Sequence, residues 1–247
     1  MVQEARIEVR LESWYTQVAN FNQHNRSQWV AAQATLIPAG SKVLDVGAGC
    51  APYRSLFSHC EYRAHDFGQE PSTIGKYAAL DYQSDITAIP VPNESFDVIL
   101  CTEVLEHVPE PIRAIHELAR ILKREGRLLV SAPLGSFLHQ EPYHFYGGFT
   151  PHWYRKYLSE AGLQIESLEA NRGFFSWFGQ EAMRFSALID PRRTGYKGKR
   201  VWMGLTALWL ITLPSLRGLF PMLGAVLDSF GLEQMATVGY HILAVKR

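Results

Sequence analysis

A glycine-rich loop after a short apolar stretch is the first feature of this sequence that points to chemistry. The loop contains Gly47 and Gly49 and directly follows Val-Leu-Asp-Val at 43–46. Glycines let the backbone approach a bound ligand closely because no Cβ stands in the way. The dinucleotide fingerprint GxGxxG needs a small residue where this chain has Pro52, and no Walker A sequence GK[ST] follows. The loop therefore predicts a ligand site and disfavours a nicotinamide or flavin dinucleotide.

The predicted elements place this loop at one end of a sheet. Apolar and β-branched runs predict seven strands, at 43–46, 62–66, 77–81, 96–101, 127–131, 163–168 and 237–245. Helical spacing and capping residues predict helices at 52–58, 110–124 and 150–160. Strands that alternate with helices indicate an α/β fold with a doubly wound parallel sheet, in which ligands bind at the carboxyl ends of the strands. We therefore expect the site around the first strand and its loop.

The overall composition narrows the class of protein. The chain has 247 residues, a formal net charge of zero and 47% hydrophobic residues, which is typical of a globular protein. A neutral chain lacks the basic field of a nucleic-acid binder, so no nucleic-acid partner is predicted. Three cysteines without metal spacing argue against a disulfide framework. The first residues carry charges throughout, so we expect no secretory signal and a cytoplasmic location.

Four motifs follow one another along the chain, at 45–51, at 66, at 79–108 and at 119–133. Together they resemble class I S-adenosylmethionine (SAM)-dependent methyltransferases of the type 11 group. Asp45, Gly47 and Gly49 match the family's DxGxGxG loop, with Ala51 in place of the third glycine. Asp66 stands at the end of the second predicted strand. Residues 79–108, ALDYQSDITAIPVPNESFDVILCTEVLEHV, and residues 119–133, ARILKREGRLLVSAP, are similar to the family's next two elements. The resemblance covers about residues 40–170 and the last strand, and extends to methyltransferases found with bacterial polysaccharide biosynthesis enzymes.

The resemblance implies a Rossmann-like sheet of seven mostly parallel strands with an antiparallel last strand, and SAM as the cofactor. Asp66 would accept hydrogen bonds from the ribose hydroxyls and Asp85 one from the adenine amino group. The implied cofactor-binding residues are Asp45, Gly47, Ala48, Gly49, Asp66, Phe67, Asp85, Ile86, Cys101 and Thr102. A structural role stays open for several of them: Asp45 as a cap of the loop, and Cys101 as a small packing residue.

Methyl transfer from a sulfonium is a direct displacement, so the protein mainly aligns the acceptor and excludes water. A base is needed only for an acceptor with a tightly held proton, and His107 and His144 are the catalytic candidates because histidine titrates near working pH. Weaker candidates are Glu103, His139 and Tyr143. Histidines 139 and 144 with Glu141 form an alternative metal cluster, but HxxxxH in a loop is a weak indicator. No metal is predicted.

An apolar segment separates the sixth and seventh predicted strands. Residues 201–213 form an uninterrupted run without a charge, and five cations lie just before it in RRTGYKGKR at 192–200. One interpretation is a set of buried helices that cap the acceptor or form a homodimer interface. The other places the cations on anionic head groups and the helices in the membrane interface. A spanning helix needs about 20 apolar residues, which this run does not reach.

The sequence thus predicts three regions: an N-terminal helical cap at 1–37, a SAM-binding core at 38–170 and 236–247, and an apolar helical insert at 171–235. The expected acceptor is a small molecule, a glycan or a lipid-linked glycan, and the expected location is the cytoplasm or the inner membrane face. The alternatives are a SAM-binding protein without catalysis and a nucleotide-dependent oxidoreductase. Neither the acceptor nor the atom that receives the methyl group follows from the sequence.

Overall fold

The computed structural model describes residue 18 and residues 20–70, 73–192, 199–231 and 236–247. The chain divides into two compact units. The larger comprises Asn25–Asn171 and Thr237–Arg247; the smaller comprises the described residues up to His24 and from Arg172 to Ala236.

The larger unit is built on one seven-stranded sheet. Its strands are β1 (Lys42–Val46), β2 (Glu61–Asp66), β3 (Tyr82–Gln83), β4 (Phe96–Thr102), β5 (Leu122–Pro133), β6 (Leu163–Ala170) and β7 (Gly239–Lys246). The spatial order is β3-β2-β1-β4-β5-β7-β6. Strands β1 to β5 run parallel, and β7 is antiparallel to both of its neighbours. The predicted fold class, a doubly wound Rossmann-like sheet with an antiparallel last strand, is confirmed.

Helices cover the sheet on its two faces. They are α1 (Phe21–Ala34), α2 (Pro111–Ile121) and α3 (Pro151–Glu160). Helix α2 buries Ala114, Ile115 and Leu118 against the central strands, which are themselves almost entirely buried. Helix α3 begins where Thr150 Oγ1 accepts a hydrogen bond from the Trp153 amide, with proline at its first position. This packing holds the strands in place, and with them the loops at their carboxyl ends.

Two local predictions are wrong, and the helix predicted at 110–124 is too long, because it ends at Ile121 and β5 begins at Leu122. The third strand is Tyr82–Gln83 rather than 77–81, because Asp81 uses its carboxylate to accept the Ala64 amide and the chain pairs with β2 only after that point. The helix expected at 52–58 is a single 3-10 turn at Arg54–Phe57. The loop before this turn uses left-handed backbone at Gly49 and Ala51, which leaves few residues for helix.

The smaller unit contains the helices that precede β7. They are α4 (Phe174–Leu188), α5 (Lys199–Pro214), a π-helical segment (Ser215–Leu219) and α6 (Phe220–Asp228). Helix α6 packs closely on α4, since a Cβ added at Gly224 would lie 2.3 Å from the Phe175 carbonyl oxygen. The Asp228 carboxylate accepts hydrogen bonds from the amides of Gly173, Phe175 and Ser176, at the start of α4. These contacts tie the two helices together.

Among the described residues, one helical stretch, Val201–Asp228, is long and apolar enough to cross a membrane by length and composition. The described part of the predicted insert is mainly helical, and the assignment of residues 171–235 as a separate insert stays a prediction. Residues 193–198 of the cationic segment and most of the predicted N-terminal cap before α1 lie outside the described residues.

Candidate active site

The loop after β1 turns on two glycines with left-handed backbone. Gly47 has φ +71° and Gly49 has φ +53°. The amides of Gly47 and Ala48 both donate to the carbonyl oxygen of His65 in β2, at 2.9 and 3.0 Å. A Cβ at Gly47 would lie 2.3 Å from Val104 Cγ2. The loop is therefore held against the end of β2 at a position that only glycine tolerates.

Asp66 closes the other side of this loop. Its side chain is 8% exposed at the end of β2. One carboxylate oxygen accepts the Gly49 amide at 3.0 Å and the other accepts the Gly68 amide at 2.9 Å. Each carboxylate oxygen has a second acceptor site, so the group remains able to accept hydroxyl donors.

A cavity of about 300 Å³ opens at these strand ends; it is called the strand-end cavity below. Six of the predicted cofactor-binding residues line this cavity: Gly47, Gly49, Asp66, Phe67, Asp85 and Ile86. Asp85 Oδ1 accepts hydrogen bonds from the amide and from the hydroxyl of Thr87. These two hydrogen bonds hold the pKa of the Asp85 carboxyl below its usual range. An ionised carboxylate therefore stands at the wall beside Ile86.

Four predicted cofactor residues are not among the cavity's lining residues. Ala48 is buried in the loop, and Thr102 is half-buried at the end of β4. Cys101 is fully buried, and burial raises the pKa of its thiol, so it packs in the core as a thiol. Asp45 is also buried, and its carboxylate accepts a hydrogen bond from the Tyr62 hydroxyl. Their contribution to cofactor binding stays a prediction.

The carboxyl group of Asp45 should leave a signature in the pH dependence of stability. Burial, and to a lesser degree the charge of Asp66, raises the pKa of Asp45 to about 7, although the Tyr62 hydrogen bond opposes the shift. Between pH 4 and 7 the folded protein keeps a proton on this carboxyl group that the unfolded chain has released. The group's contribution to the free energy of unfolding is therefore complete below pH 4 and is lost as the pH rises from 4 through 7. Relative to wild type, Asp45→Asn should gain unfolding free energy between pH 4 and 7, by at most about 1.4 kcal/mol per pH unit.

Urea unfolding of both proteins at pH 5, 6, 7 and 8, without cofactor, measures this difference. A constant difference across that range contradicts the assignment.

The two predicted catalytic histidines occupy different positions. His107 lines the strand-end cavity, and its Nδ1 donates to the carbonyl oxygen of Tyr143, so Nε2 carries the free lone pair. Burial lowers the pKa of His107 to about 4, which keeps the ring neutral. His144 bonds through Nε2 to the Ser136 hydroxyl at 3.1 Å and is not a lining residue. Tyr143 itself lines the cavity, and its ring makes a T-shaped contact with the ring of Phe67.

Glu103 is held at the cavity by two partners. It follows β4 with φ +54°, and its carboxylate contacts Arg26 Nη1 at 3.2 Å and accepts the Ser131 hydroxyl at 2.9 Å. Glu103 was a weak candidate in the sequence analysis, whereas Arg26, which comes from α1, was not predicted. It also missed the cavity residues Glu70, Thr73, Tyr77, Val104 and Gln140. The proximity of Glu70, Thr73 and Tyr77 to Asp66 in the chain was the only available signal.

The fold and the site together are those of an α/β domain that binds a nucleoside-containing cofactor, of the kind found in class I SAM-dependent methyltransferases. A family model described as a methyltransferase domain matches residues 18–184, and the chain belongs to this family. SAM is the cofactor of the class I SAM-dependent methyltransferases, and the cavity residues fit it: a glycine loop with no room for a Cβ, and a carboxylate at the end of β2.

Curated relatives match the part of the chain that carries these motifs. A ubiquinone biosynthesis O-methyltransferase of Pseudomonas aeruginosa is 30% identical over 143 residues, which is 51% of this chain and 60% of that protein. Its counterpart in Pseudoalteromonas translucida is 35% identical over 92 residues, 33% of this chain and 39% of that protein. The chain thus spans about three fifths or less of the length of these relatives.

Solved structures share the fold at low identity. The [4+2]-cyclase SpnF superposes with a TM-score of 0.54 and 20% identity, covering 90% of this chain and 80% of that one. The YcgJ protein of Bacillus subtilis gives a TM-score of 0.52 and 18% identity, covering 91% and 99%. At this identity the likeness concerns the fold alone.

Proposed function

We propose that this protein transfers a methyl group from SAM to a hydroxyl oxygen of an amphiphilic acceptor, by direct in-line displacement. The observation that carries the proposal is that one cavity joins the glycine loop and Asp66 to His107 and Tyr143. SAM, when bound, supplies a methyl group on a sulfonium that a nucleophile takes up directly. The names of the O-methyltransferase relatives support oxygen as the receiving atom.

The residues around Asp66 would hold the nucleoside part of the cofactor. The Asp66 carboxylate would accept the two ribose hydroxyls, and Asp85 would accept the adenine amino group beside Ile86. Charge-assisted hydrogen bonds of this kind are about twice as strong as neutral ones. Gly47 and Gly49 would let the backbone approach the cofactor, since neither carries a Cβ.

The opposite side of the cavity would hold the acceptor. Tyr143 and Phe145 are lining residues from the loop at 134–149, which follows β5 at a strand end, where substrate loops of such sheets lie. The neutral His107 also lines the cavity, and its Nε2 would orient an acceptor hydroxyl by accepting its hydrogen bond. His144 would support the same loop through Ser136.

The apolar helices of the smaller unit suggest that the acceptor is a lipid or is linked to one. Helices α5 and α6 expose many large apolar side chains, among them Leu208 at 58% and Ile211 at 75% exposure. Between Val201 and Leu227 the only charged residue is Arg217, and its Nε donates to the Ser186 hydroxyl of α4. Contiguous apolar surface of this kind marks interaction sites.

We propose that this surface rests in the interface of an anionic membrane, at the inner face of the bacterial cytoplasmic membrane. The five cations of residues 192–200 directly precede it and would attract anionic head groups. Arg192 is paired with Asp190 at 2.7 Å and lies over the Trp209 ring, so fewer than five of them serve this role. Because α6 packs on α4, an interfacial position is favoured over a span.

Binding to vesicles tests the membrane contact. Wild-type protein should cosediment with vesicles that contain phosphatidylglycerol, and less with pure phosphatidylcholine. The double variant Leu208→Glu with Ile211→Glu should bind at least about tenfold more weakly, since each buried leucine or isoleucine contributes about 1.5–3 kcal/mol. Leu36→Glu, at an equally exposed leucine of the larger unit, is the matched control and should bind as wild type. Equal binding of all three proteins, or a homodimer closed by this face in sedimentation, contradicts the proposal.

The acceptor class is tested by following the label. Protein, methyl-labelled SAM and a membrane-containing cell extract are incubated, and the product is partitioned between organic solvent and water. Label in the organic phase is expected. Label only in water rules out a lipid-linked acceptor, and no transfer by a protein that binds SAM contradicts methyl transfer.

A further inference from the structure

Three side chains with metal-binding atoms meet beside the strand-end cavity. Glu106 and His107 belong to the short 3-10 turn after β4, and His139 belongs to the loop at 134–149. Their ligand atoms, one from each residue, all lie within 4.8 Å of one another. A carboxylate and two imidazoles are a ligand set that first-row divalent metals favour.

The two histidines are oriented as metal ligands usually are. His107 Nδ1 donates to the carbonyl oxygen of Tyr143, and His139 Nδ1 donates to that of Phe137 at 2.8 Å. A carbonyl oxygen only accepts, so each ring carries its proton on Nδ1 and presents the lone pair of Nε2. Metal-bound histidines are held in this way by a hydrogen bond from the other ring nitrogen.

Glu106 supplies an independent sign of a missing partner. Its side chain is only 1% exposed, and among the described residues Oε2 has no hydrogen-bond donor. The other oxygen, Oε1, lies 3.7 Å from His107 Nε2. A buried carboxyl oxygen without a partner is costly, and a cation at this point would compensate it.

We propose that Glu106, His107 and His139 bind one divalent first-row metal ion, such as Zn²⁺ or Mn²⁺, with open coordination positions toward the strand-end cavity. Two ligand atoms on one such ion stand at most about 4.2 Å apart, so binding draws the exposed His139 inward slightly. His144 lies beside His139, with ring centroids 4.5 Å apart, on the same loop.

The ion gives the acceptor side of the cavity a chemical role, which rests on the proposed function. A cation next to an acceptor hydroxyl lowers the pKa of that hydroxyl. As the new O–CH₃ bond forms, the C–S bond of the sulfonium breaks and the hydroxyl proton passes to solvent. With the ion bound, the Nε2 lone pair of His107 is a metal ligand and no longer accepts the hydrogen bond of the acceptor hydroxyl, and no protein group has to take up the proton.

Calorimetric titration of untagged, chelator-treated protein with ZnCl₂ and with MnCl₂ tests the site. Wild type should bind one ion per chain with at least one of the two metals. His139→Asn, at an exposed loop position, should weaken that binding by about 10- to 100-fold. Glu106→Gln should do the same, and its melting temperature checks that it folds. His152→Asn, at an exposed histidine of α3, should bind as wild type.

Binding of S-adenosylhomocysteine (SAH), measured on the same variants without metal, separates the two proposals. His139→Asn should keep wild-type affinity for SAH, because it does not line the cofactor side. Absence of a saturable metal site in wild type, or metal binding that His139→Asn leaves unchanged, overturns the metal proposal and leaves methyl transfer intact. Loss of SAH binding in wild type would instead contradict the proposed function.

Discussion

Asp66→Ala should weaken binding of SAM by about 30- to 900-fold. The substitution removes the carboxylate that would accept both ribose hydroxyls, and the loss of two charge-assisted hydrogen bonds costs about 2–4 kcal/mol. It also frees the Gly49 amide, which the carboxylate now holds, so the glycine loop loses an anchor. Equilibrium dialysis with labelled SAM measures the dissociation constant.

Two further variants make this result specific. Asp66→Asn keeps one oxygen that can accept a hydrogen bond, so its affinity for SAM should lie between those of wild type and Asp66→Ala. Glu61→Ala removes an exposed carboxylate at the opposite end of β2 and should stay within about twofold of wild type. An unchanged affinity in Asp66→Ala would mean that the ribose lies elsewhere.

Gly47→Ala should unfold more easily by about 2–5 kcal/mol and lose measurable SAM binding. The new Cβ would lie 2.3 Å from Val104 Cγ2, on a stiff β-branched side chain, and alanine at φ +71° is strained. Left-handed backbone costs about 1–2 kcal/mol for a residue with a Cβ, and overpacking adds about 1–3 kcal/mol. Urea unfolding gives the first effect and dialysis the second.

Gly40→Ala is the matched control for the strain alone. Gly40 has φ +78°, but a Cβ there meets nothing within 4 Å and lies outside the cavity. It should lose only about 1–2 kcal/mol and keep its affinity for SAM. Adding Val104→Ala to Gly47→Ala should recover part of the unfolding free energy. If Gly47→Ala behaves like Gly40→Ala, the contact with Val104 does not govern the loop.

The sequence was sufficient for the parts of the fold that local pattern controls. The apolar run before Gly47 predicted β1, and Asp66 was placed at the end of β2, where the structure has it. Both are short-range signals: hydrophobic runs bounded by turn residues. The prediction of the third strand failed because only two residues of this strand pair with β2. The position of Asp81, rather than hydrophobicity, determines where that pairing starts.

The site depends on contacts that no local pattern records. Glu106 and His139 are 33 positions apart in the chain, and only the path of the loop at 134–149 brings them together. Arg26 reaches Glu103 from a helix far earlier in the chain. Asp45 and Cys101 belong to the family motifs, and both are buried. Whether such side chains face the cavity or the core depends on how the sheet packs against its helices. Tertiary packing supplies this information, and periodicity does not.

Calorimetric titration of the purified protein with SAH, with NAD⁺ as the parallel ligand, tests most directly that the strand-end cavity is a SAM site. We expect one SAH bound per chain and no detectable heat from NAD⁺, because Pro52 replaces the small residue that a dinucleotide requires. Binding of NAD⁺ without binding of SAH would contradict the assignment of the cavity and, with it, the proposed methyl transfer.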